Sequence, residues 1–331
     1  MSAGRDLARL PKAHLHIHLE AALPPQTAQR LAQRHGVPIP PVRYTGDFSG
    51  FAGAFLGLVD LLAAPRMLAQ VIDEAATDAA AEGVVYLELG VSPHFYADAY
   101  GSAANALAAM AGAAEEATGR TGVEVGLMVT VDRTLGAEHA EQTARLAARW
   151  SGRRVVSLGL ANEERGNPAA PLSRAFAIAR DAGLRVTPHA GELVGAEAVT
   201  EALDELRPDR IQHGIRAAED AGVVGRLARE QVCLDVCPTS NELLGVVPGD
   251  RPHPLLALLD AGVPCSINAD DPSLFSSSIL GEYQLSRERI GLSDEQLAAC
   301  ARTSITFSAL PQTLHRRAVD GIEAWLREPA S

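Results

Sequence analysis

The sequence predicts an α/β chain folded as a (β/α)8 TIM barrel, with extra helices between the first and second strands. Three observations carry that prediction. Eight short apolar, β-branched runs alternate with Ala-rich helical segments, the pattern of parallel strands joined by crossover helices. Residues able to bind a metal collect at the C-terminal ends of those runs, where this fold places its active groups. The length, 331 residues, suits one barrel, which commonly runs to about 250 residues or more as a unit. Residues 1–331 are therefore read as a single domain.

In chain order the strand candidates are Ala13–Leu19, Val84–Leu89, Val123–Val129, Val155–Leu160, Arg185–His189, Arg210–His213, Val232–Val236 and Val263–Asn268. The second and fourth read VVYLEL and VVSLGL, nearly continuous apolar runs of the kind that strands buried on both faces require. Glycines mark helix ends, as in DAGLRV and DAGVPCS. Roughly 65 residues separate the first two strands, far beyond an ordinary connection. That segment holds Pro24, Pro25, a Pro-rich turn at 37–42, and long helices from about Ser49 to Glu82, read as a cover over the barrel mouth. Phe51, Phe55, Leu58, Val59 and Leu62 recur at helical spacing. A stripe packed on the barrel is the favoured role for them, with Phe51 and Phe55 as pocket lining the alternative. The C-terminal WLREPAS reads as a frayed tail.

Composition narrows the partners. A formal net charge of −12 argues against nucleic acid and anionic membranes, because phosphate binding needs a basic surface; a small neutral or cationic substrate agrees with it. No 18-residue apolar run exists, so no spanning helix is expected. The N-terminus lacks a signal-peptide apolar core, and a cytoplasmic location is expected by default. Cys233, Cys237, Cys265 and Cys300 form no C-x-x-C motif and are expected to be reduced core thiols.

The first strand reads KAHLHIHLE. Residues two apart on a strand share a face, so His16 and His18 can reach one ion together, with His14 at the same parity as a supporting neighbour. His189 ends the fifth strand, His213 the sixth, and Asp270 and Asp271 follow the eighth. Neutral imidazole and carboxylate suit zinc, and four protein ligands leave room for a water. Such an ion lowers the pKa of its water from 15.7 to about 7. The expected ligands are His16, His18, His189 and Asp270 around one Zn2+ per chain. Glu192 lies three residues beyond His189, after a glycine that lets the chain turn back, and is the natural proton shuttle; its alternative role is to start the next helix. The fourth strand has no lysine to bridge two ions, which favours a single metal. The H-x-E…P-C-x-x-C pattern is absent, excluding the cytidine-deaminase architecture. Asp235, in an otherwise apolar strand, needs a partner and is expected to orient His213 or a metal ligand. His35, His94, His139, His253 and His315 are assigned packing or surface roles.

Taken together, PKAHLHIHLE, EGVVYLELGVSPH, TPHAGE, RIQHGI, CPTSN and INADDP, in that order, resemble the adenosine/adenine deaminase family of metal-dependent hydrolases over nearly the whole chain. The resemblance implies hydrolytic removal of an amino group from C6 of an adenine-type ring, releasing ammonia. It assigns Glu192 to protonate N1, His213 and Asp270 to orient and deprotonate the attacking water, and Asp271, carrying a proton, to donate to N7. A small purine substrate is implied.

Several positions bear on the substrate. Adenosine deaminases commonly read H-L-D-G where this chain has His18-Leu19-Glu20-Ala21; the Asp contacts a ribose hydroxyl, and Glu20 is what deaminases of free adenine tend to carry. Asn162 stands where adenosine deaminases place a glycine whose N–H meets N3. Gly166-Asn167-Pro168 resembles the adenine branch. Ser92-Pro93-His94 resembles the adenosine branch, though Gly90 replaces its usual arginine. Glu20, Asn162 and Asp271 are the expected substrate contacts. The leading expectation is an adenine-containing nucleoside, with free adenine or a modified nucleoside such as aminodeoxyfutalosine as alternatives, and a non-catalytic metal-binding barrel as a more remote one.

Overall fold

Parallel strands form where the apolar runs lie: β1 Lys12–His18, β2 Val84–Val91, β3 Glu124–Asp132, β4 Val155–Ala161, β5 Arg185–Ala190, β6 Arg210–His213, β7 Cys233–Val236 and β8 Cys265–Ile267. These come from a computed structural model that describes residues 4–36, 44, 48–64, 66–249 and 251–329. The Pro-rich turn expected at 37–42 lies outside the described residues. Each strand pairs with the next in chain order, which yields the (β/α)8 barrel. Closure comes just past β8: Asp270 N donates to His16 O at 3.1 Å and His18 N to Asp270 O at 3.1 Å. The ring is thus stitched shut by residues expected to hold the metal.

The barrel interior is more polar than the apolar runs imply. Arg210, fully buried, donates from Nη2 to Glu88 Oε1 at 2.6 Å and from Nε to Asp235 Oδ2 at 2.9 Å. Tyr86 and Ser157 hydroxyls donate to Glu88 at 3.0 and 2.7 Å. Ser266 Oγ donates to Asp235 Oδ1 at 2.7 Å and accepts from Asn268 Nδ2 at 2.7 Å. Asn268 Oδ1 then accepts from the Leu15 and His16 amides at 2.7 and 3.1 Å. One chain of hydrogen bonds therefore runs from β2 through β6, β7 and β8 to the backbone that carries His16. Buried charge is tolerated only when paired like this.

Between β1 and β2 lie α1 Pro25–His35, α2 Phe48–Leu62 and α3 Met67–Ala81, the expected insertion. Phe51 stacks on Phe275 with centroids 5.4 Å apart and 8° between planes, which seats α2 over the segment after β8. The C-terminal end corrects an expectation: Gln312–Arg327 is a helix, and Trp325 is buried with Nε1 donating to Asp6 O at 2.7 Å. Its apolar face docks, and Arg5 Nε donates to Glu328 O at 2.8 Å, so the described part of WLREPAS is held against the barrel; residues 330–331 lie outside the described residues. All four cysteines are free and buried. Among the described residues no single helix is long and apolar enough to cross a membrane.

Removing Arg210 leaves Glu88 and Asp235 as unpaired buried carboxylates. Arg210→Met should lower stability by about 3–5 kcal/mol in urea unfolding; a loss under about 1 kcal/mol would show that the network holds little of the fold together.

Candidate active site

His16 and His18 come from β1, His189 from β5 and Asp270 from the segment after β8, and one ligand atom of each lies within 4.8 Å of all the others. Asp270 Oδ1 is 3.1 Å from His16 Nε2 and 3.4 Å from His18 Nε2. His16 Nε2 is 3.1 Å from His189 Nε2. The outer ring nitrogens fix the tautomers. His189 Nδ1 faces Leu160 O at 2.6 Å and His16 Nδ1 faces Asp235 O at 3.2 Å. A carbonyl only accepts, so each Nδ1 carries the proton and, in the neutral ring, each Nε2 presents a lone pair. Burial drives the His189 imidazole well below its usual range, which keeps it neutral. Two lone pairs and a carboxylate oxygen thus meet with no proton between them, and buried Asp270 Oδ1 has no hydrogen-bond donor. That arrangement is repulsive unless a cation sits there. Three imidazoles and one carboxylate form a donor set that fits zinc.

A second grouping, His16, His213 and Cys237, is also close. Its sulfur lies 3.4 Å from His16 Nδ1, the nitrogen already protonated toward Asp235 O, and burial pushes the Cys237 thiol well up. Neither atom is ready to bind an ion.

Strand ends are bent to aim these groups. His213, Asp270 and Asn162 adopt φ of 59°, 59° and 81°, left-handed conformations that cost a non-glycine residue of order 1 kcal/mol or more and cluster at functional sites. Gly191, at φ 66°, turns the chain after His189; a Cβ there would lie 2.3 Å from Val199 Cγ2. The turn is held by a residue with no role assigned from sequence. The Glu164 carboxylate accepts from four successive amides, Gly191, Glu192, Leu193 and Val194, at 2.8, 3.2, 2.8 and 2.8 Å. Arg133 Nη2 donates to His189 O at 2.6 Å. The next helix starts only at Ala196, so Glu192 is not its first turn. Glu192 Oε1 sits instead 3.5 Å from His213 Nε2, which is 3.7 Å from Asp270 Oδ2.

Burial, then the charges of Asp270 and Glu164, raise the Glu192 carboxyl well above its usual range. Burial and Asp270 do the same to Asp271. Burial pulls Asp270 upward too, but His16 and His213 win and hold it well below the usual range. His14 is no ligand: its Nε2 accepts from Ala269 N at 3.1 Å, bracing the segment that carries Asp270, and burial lowers it to about 3. The Asp235 carboxylate does not orient His213; it binds Arg210 and Ser266, and it is the carbonyl of Asp235 that meets His16.

Above the cluster opens a cavity of about 280 Å³. Phe48, Phe51, Phe55, Leu56, Phe95 and Leu244 line its apolar side, so Phe51 and Phe55 do face the pocket. Thr130, Asp132, Asn162, Glu192, His213 and Asp271 supply polar groups. Asn162 reaches Asp132 Oδ2 with its side-chain nitrogen at 2.9 Å. Asp132 escaped the sequence reading because β3 runs three residues past the Val129 expected as its end. Glu20 is not among the lining residues; its carboxyl accepts from the Tyr96 hydroxyl at 2.9 Å.

A sequence profile described as adenosine deaminase matches residues 11–325. The chain belongs to the adenosine deaminase family. It is a hydrolase of C–N bonds and an adenine/adenosine-type, metal-dependent deaminase. It is 39% identical, over 98% of this chain and 99% of the relative, to a Streptomyces coelicolor protein provisionally named adenosine/adenine deaminase. It is 40% identical to an adenine deaminase of Sinorhizobium medicae, over 94% of this chain and 97% of that one. The crystal structure of an adenine deaminase from Arthrobacter aurescens superposes with a TM-score of 0.88 at 29% identity, covering 96% of this chain and 99% of that one. An amidohydrolase from Burkholderia ambifaria with bound Zn gives 0.84 at 25% identity, covering 97% and 92%.

Because Glu164 touches the turn and not the metal ligands, Glu164→Gln should keep metal content near that of the parent while turnover falls about 10–100-fold. Metal analysis beside initial rates checks this; full activity would remove Glu164 from the support of Glu192.

Proposed function

We propose that this family member is a zinc-dependent aminohydrolase that deaminates C6 of free adenine, using His16, His18, His189 and Asp270 as ligands and yielding hypoxanthine and ammonia. The observation that carries the choice of free base is the placement of Glu20. The corresponding residue in the adenosine branch meets a ribose hydroxyl, whereas this buried carboxyl accepts from the Tyr96 hydroxyl and is not among the residues that line the cavity, leaving a sugar without that anchor. The adenine deaminases among the relatives support the same reading. A nucleoside remains the second reading, supported by Asp132 and Asn162 at the cavity rim. Among the described residues, no lysine or arginine lines the cavity, so a 5′-phosphate would meet only carboxylates and neutral groups.

When bound, zinc supplies a water whose pKa falls from 15.7 to about 7. The chain's own groups divide the remaining work. Asp270 is ionised and lies within reach of His213, so it takes up the proton that leaves the attacking water. Glu192 is protonated and delivers its proton to ring N1, making C6 more electrophilic. Asp271, also protonated, donates to N7, an acceptor that a carboxylate could not bind. His213 donates from Nε2 to the oxygen that develops negative charge at C6. The amino group leaves as ammonia with the proton that Asp270 took from the water, and as C6=O forms the oxygen's remaining proton returns to Glu192, so both carboxyls recover their starting states; the phenylalanine-rich wall limits bulk water.

Both acids must be protonated to act. Their pKa values are raised, so activity should fall on the alkaline side as each loses its proton, and metal content should not change across that limb. Glu192→Gln keeps the shape but cannot transfer the proton; turnover should drop about 10²–10⁴-fold with zinc retained. Adenine, adenosine, 5′-substituted adenosines, aminodeoxyfutalosine and AMP assayed side by side by the ultraviolet change from adenine to hypoxanthine test the substrate. The expected order is adenine first and AMP last. Faster turnover of any nucleoside than of adenine would overturn the free-base assignment.

A further inference from the structure

His213 stands at the end of β6 in a left-handed conformation, and the proposed chemistry requires its Nε2 to carry a proton. We propose that Asn241 and His253 form a buried relay that dictates this tautomer, making both positioning residues for His213. The proposal rests on the reading of His213 as a group that faces the reacting atoms.

The direction of every bond in the relay follows from a single backbone amide. Leu255 N donates to His253 Nδ1 at 3.2 Å. An amide N–H only donates, so Nδ1 must be the bare nitrogen. Burial lowers His253 to about 4, so near neutral pH the ring has one proton, and it lies on Nε2. That N–H faces the Asn241 side chain at 3.4 Å. The amide must therefore turn its oxygen to His253 and its NH2 to the other side, where His213 Nδ1 lies at 3.2 Å. His213 Nδ1 then accepts, and the proton of the neutral ring is left on Nε2. Nε2 is the atom that faces Glu192 and Asp270.

The relay is built to resist reversal. Asn241 is fully buried and His253 nearly so. The Asn241 backbone N donates to Cys237 O and its backbone carbonyl accepts from Val247 N, both at 2.9 Å, so the main chain that carries the side chain, in the short helix Pro238–Leu243, is pinned on both sides. Rotating the amide would set its NH2 against the His253 Nε2–H and its oxygen against the lone pair of His213 Nδ1. Each mismatch leaves a buried polar group unpaired. An asparagine is suited to this place because it alone of the small side chains accepts at one end and donates at the other. His253 does not line the cavity, and Asn241 is the side chain it meets, so it acts through Asn241.

The test is nitrogen-15 histidine NMR of the zinc-loaded protein, with the His213 signals assigned from their loss in His213→Asn. The long-range proton–nitrogen pattern reports which ring nitrogen is bare. Parent protein should show His213 protonated on Nε2. Asn241→Asp offers only acceptors and should reverse the pattern to Nδ1–H. The loss in kcat should be at least about 100-fold, since a histidine held in the wrong tautomer can lose about 10⁴, with KM within about threefold and zinc content unchanged. Because a new buried carboxylate can disturb folding, the pair His253→Gln and His253→Glu provides a second arm. Gln keeps a donor toward Asn241 and should leave the tautomer and rate near those of the parent. Glu offers only an acceptor, turns the amide round and should reverse the tautomer from a distance. His213 protonated on Nδ1 in the parent, or unchanged in both Asn241→Asp and His253→Glu, would overturn the relay. A tautomer that switches as described in a protein inert toward adenine and adenosine would uphold the relay and remove the proposed function.

Discussion

Lone pairs aimed at one another are the constraint on which this molecule is organised. His16 and His189 each spend their ring proton on a backbone carbonyl, so their inner nitrogens confront each other at 3.1 Å, and that of His16 also faces the Asp270 oxygen at 3.1 Å. No neutral hydrogen-bond pattern satisfies that arrangement, and a divalent cation does. The surroundings read as means of holding it. Barrel closure between β1 and the segment after β8 passes through His16, His18 and Asp270. The polar chain from Glu88 through Arg210, Asp235, Ser266 and Asn268 ends on the amide of His16. Rigidity of the ligands is thereby tied to the pairing of the strands.

The same low-dielectric pocket drives neighbouring carboxyls in opposite directions. Asp270 stays ionised because imidazoles surround it, while Glu192 and Asp271 are pushed up by burial and by the charge of Asp270 itself. The charge of Asp270, the proposed ligand, thus adds to burial in favouring the protonated forms of the two acids beside it. Carboxyls whose environments separate their protonation states are what acid–base chemistry at one ring needs. Glu164 adds a quieter element: one carboxylate, spread over four amides, fixes the turn from which Glu192 projects.

Much of this was legible in the sequence because strand geometry is periodic. Alternation placed His16 and His18 on one face, and the rule that barrel chemistry sits at strand ends gathered His189, His213 and Asp270 from remote segments. The phenylalanines of α2 were legible as a stripe, but whether it faced core or cavity depended on where the helix docks. Other parts left no local signal. Glu164 bonds amides that begin 27 residues away, and Asn241 bonds rings 28 and 12 residues away; no spacing rule reports such contacts. The ion network inside the barrel was hidden because Arg210, Glu88 and Asp235 lie on three different strands. Glu20 was legible as an acid near the site, yet its partnership with Tyr96 emerges only when β1 and the segment after β2 are folded together.

X-ray absorption at the zinc edge reads directly which atoms meet the metal. One zinc per chain is expected, with only nitrogen and oxygen neighbours at about 2.0–2.2 Å, from three imidazoles, the Asp270 carboxylate and solvent. A sulfur neighbour at about 2.3 Å, which would have to come from Cys237, or zinc well below one per chain after loading, would contradict it.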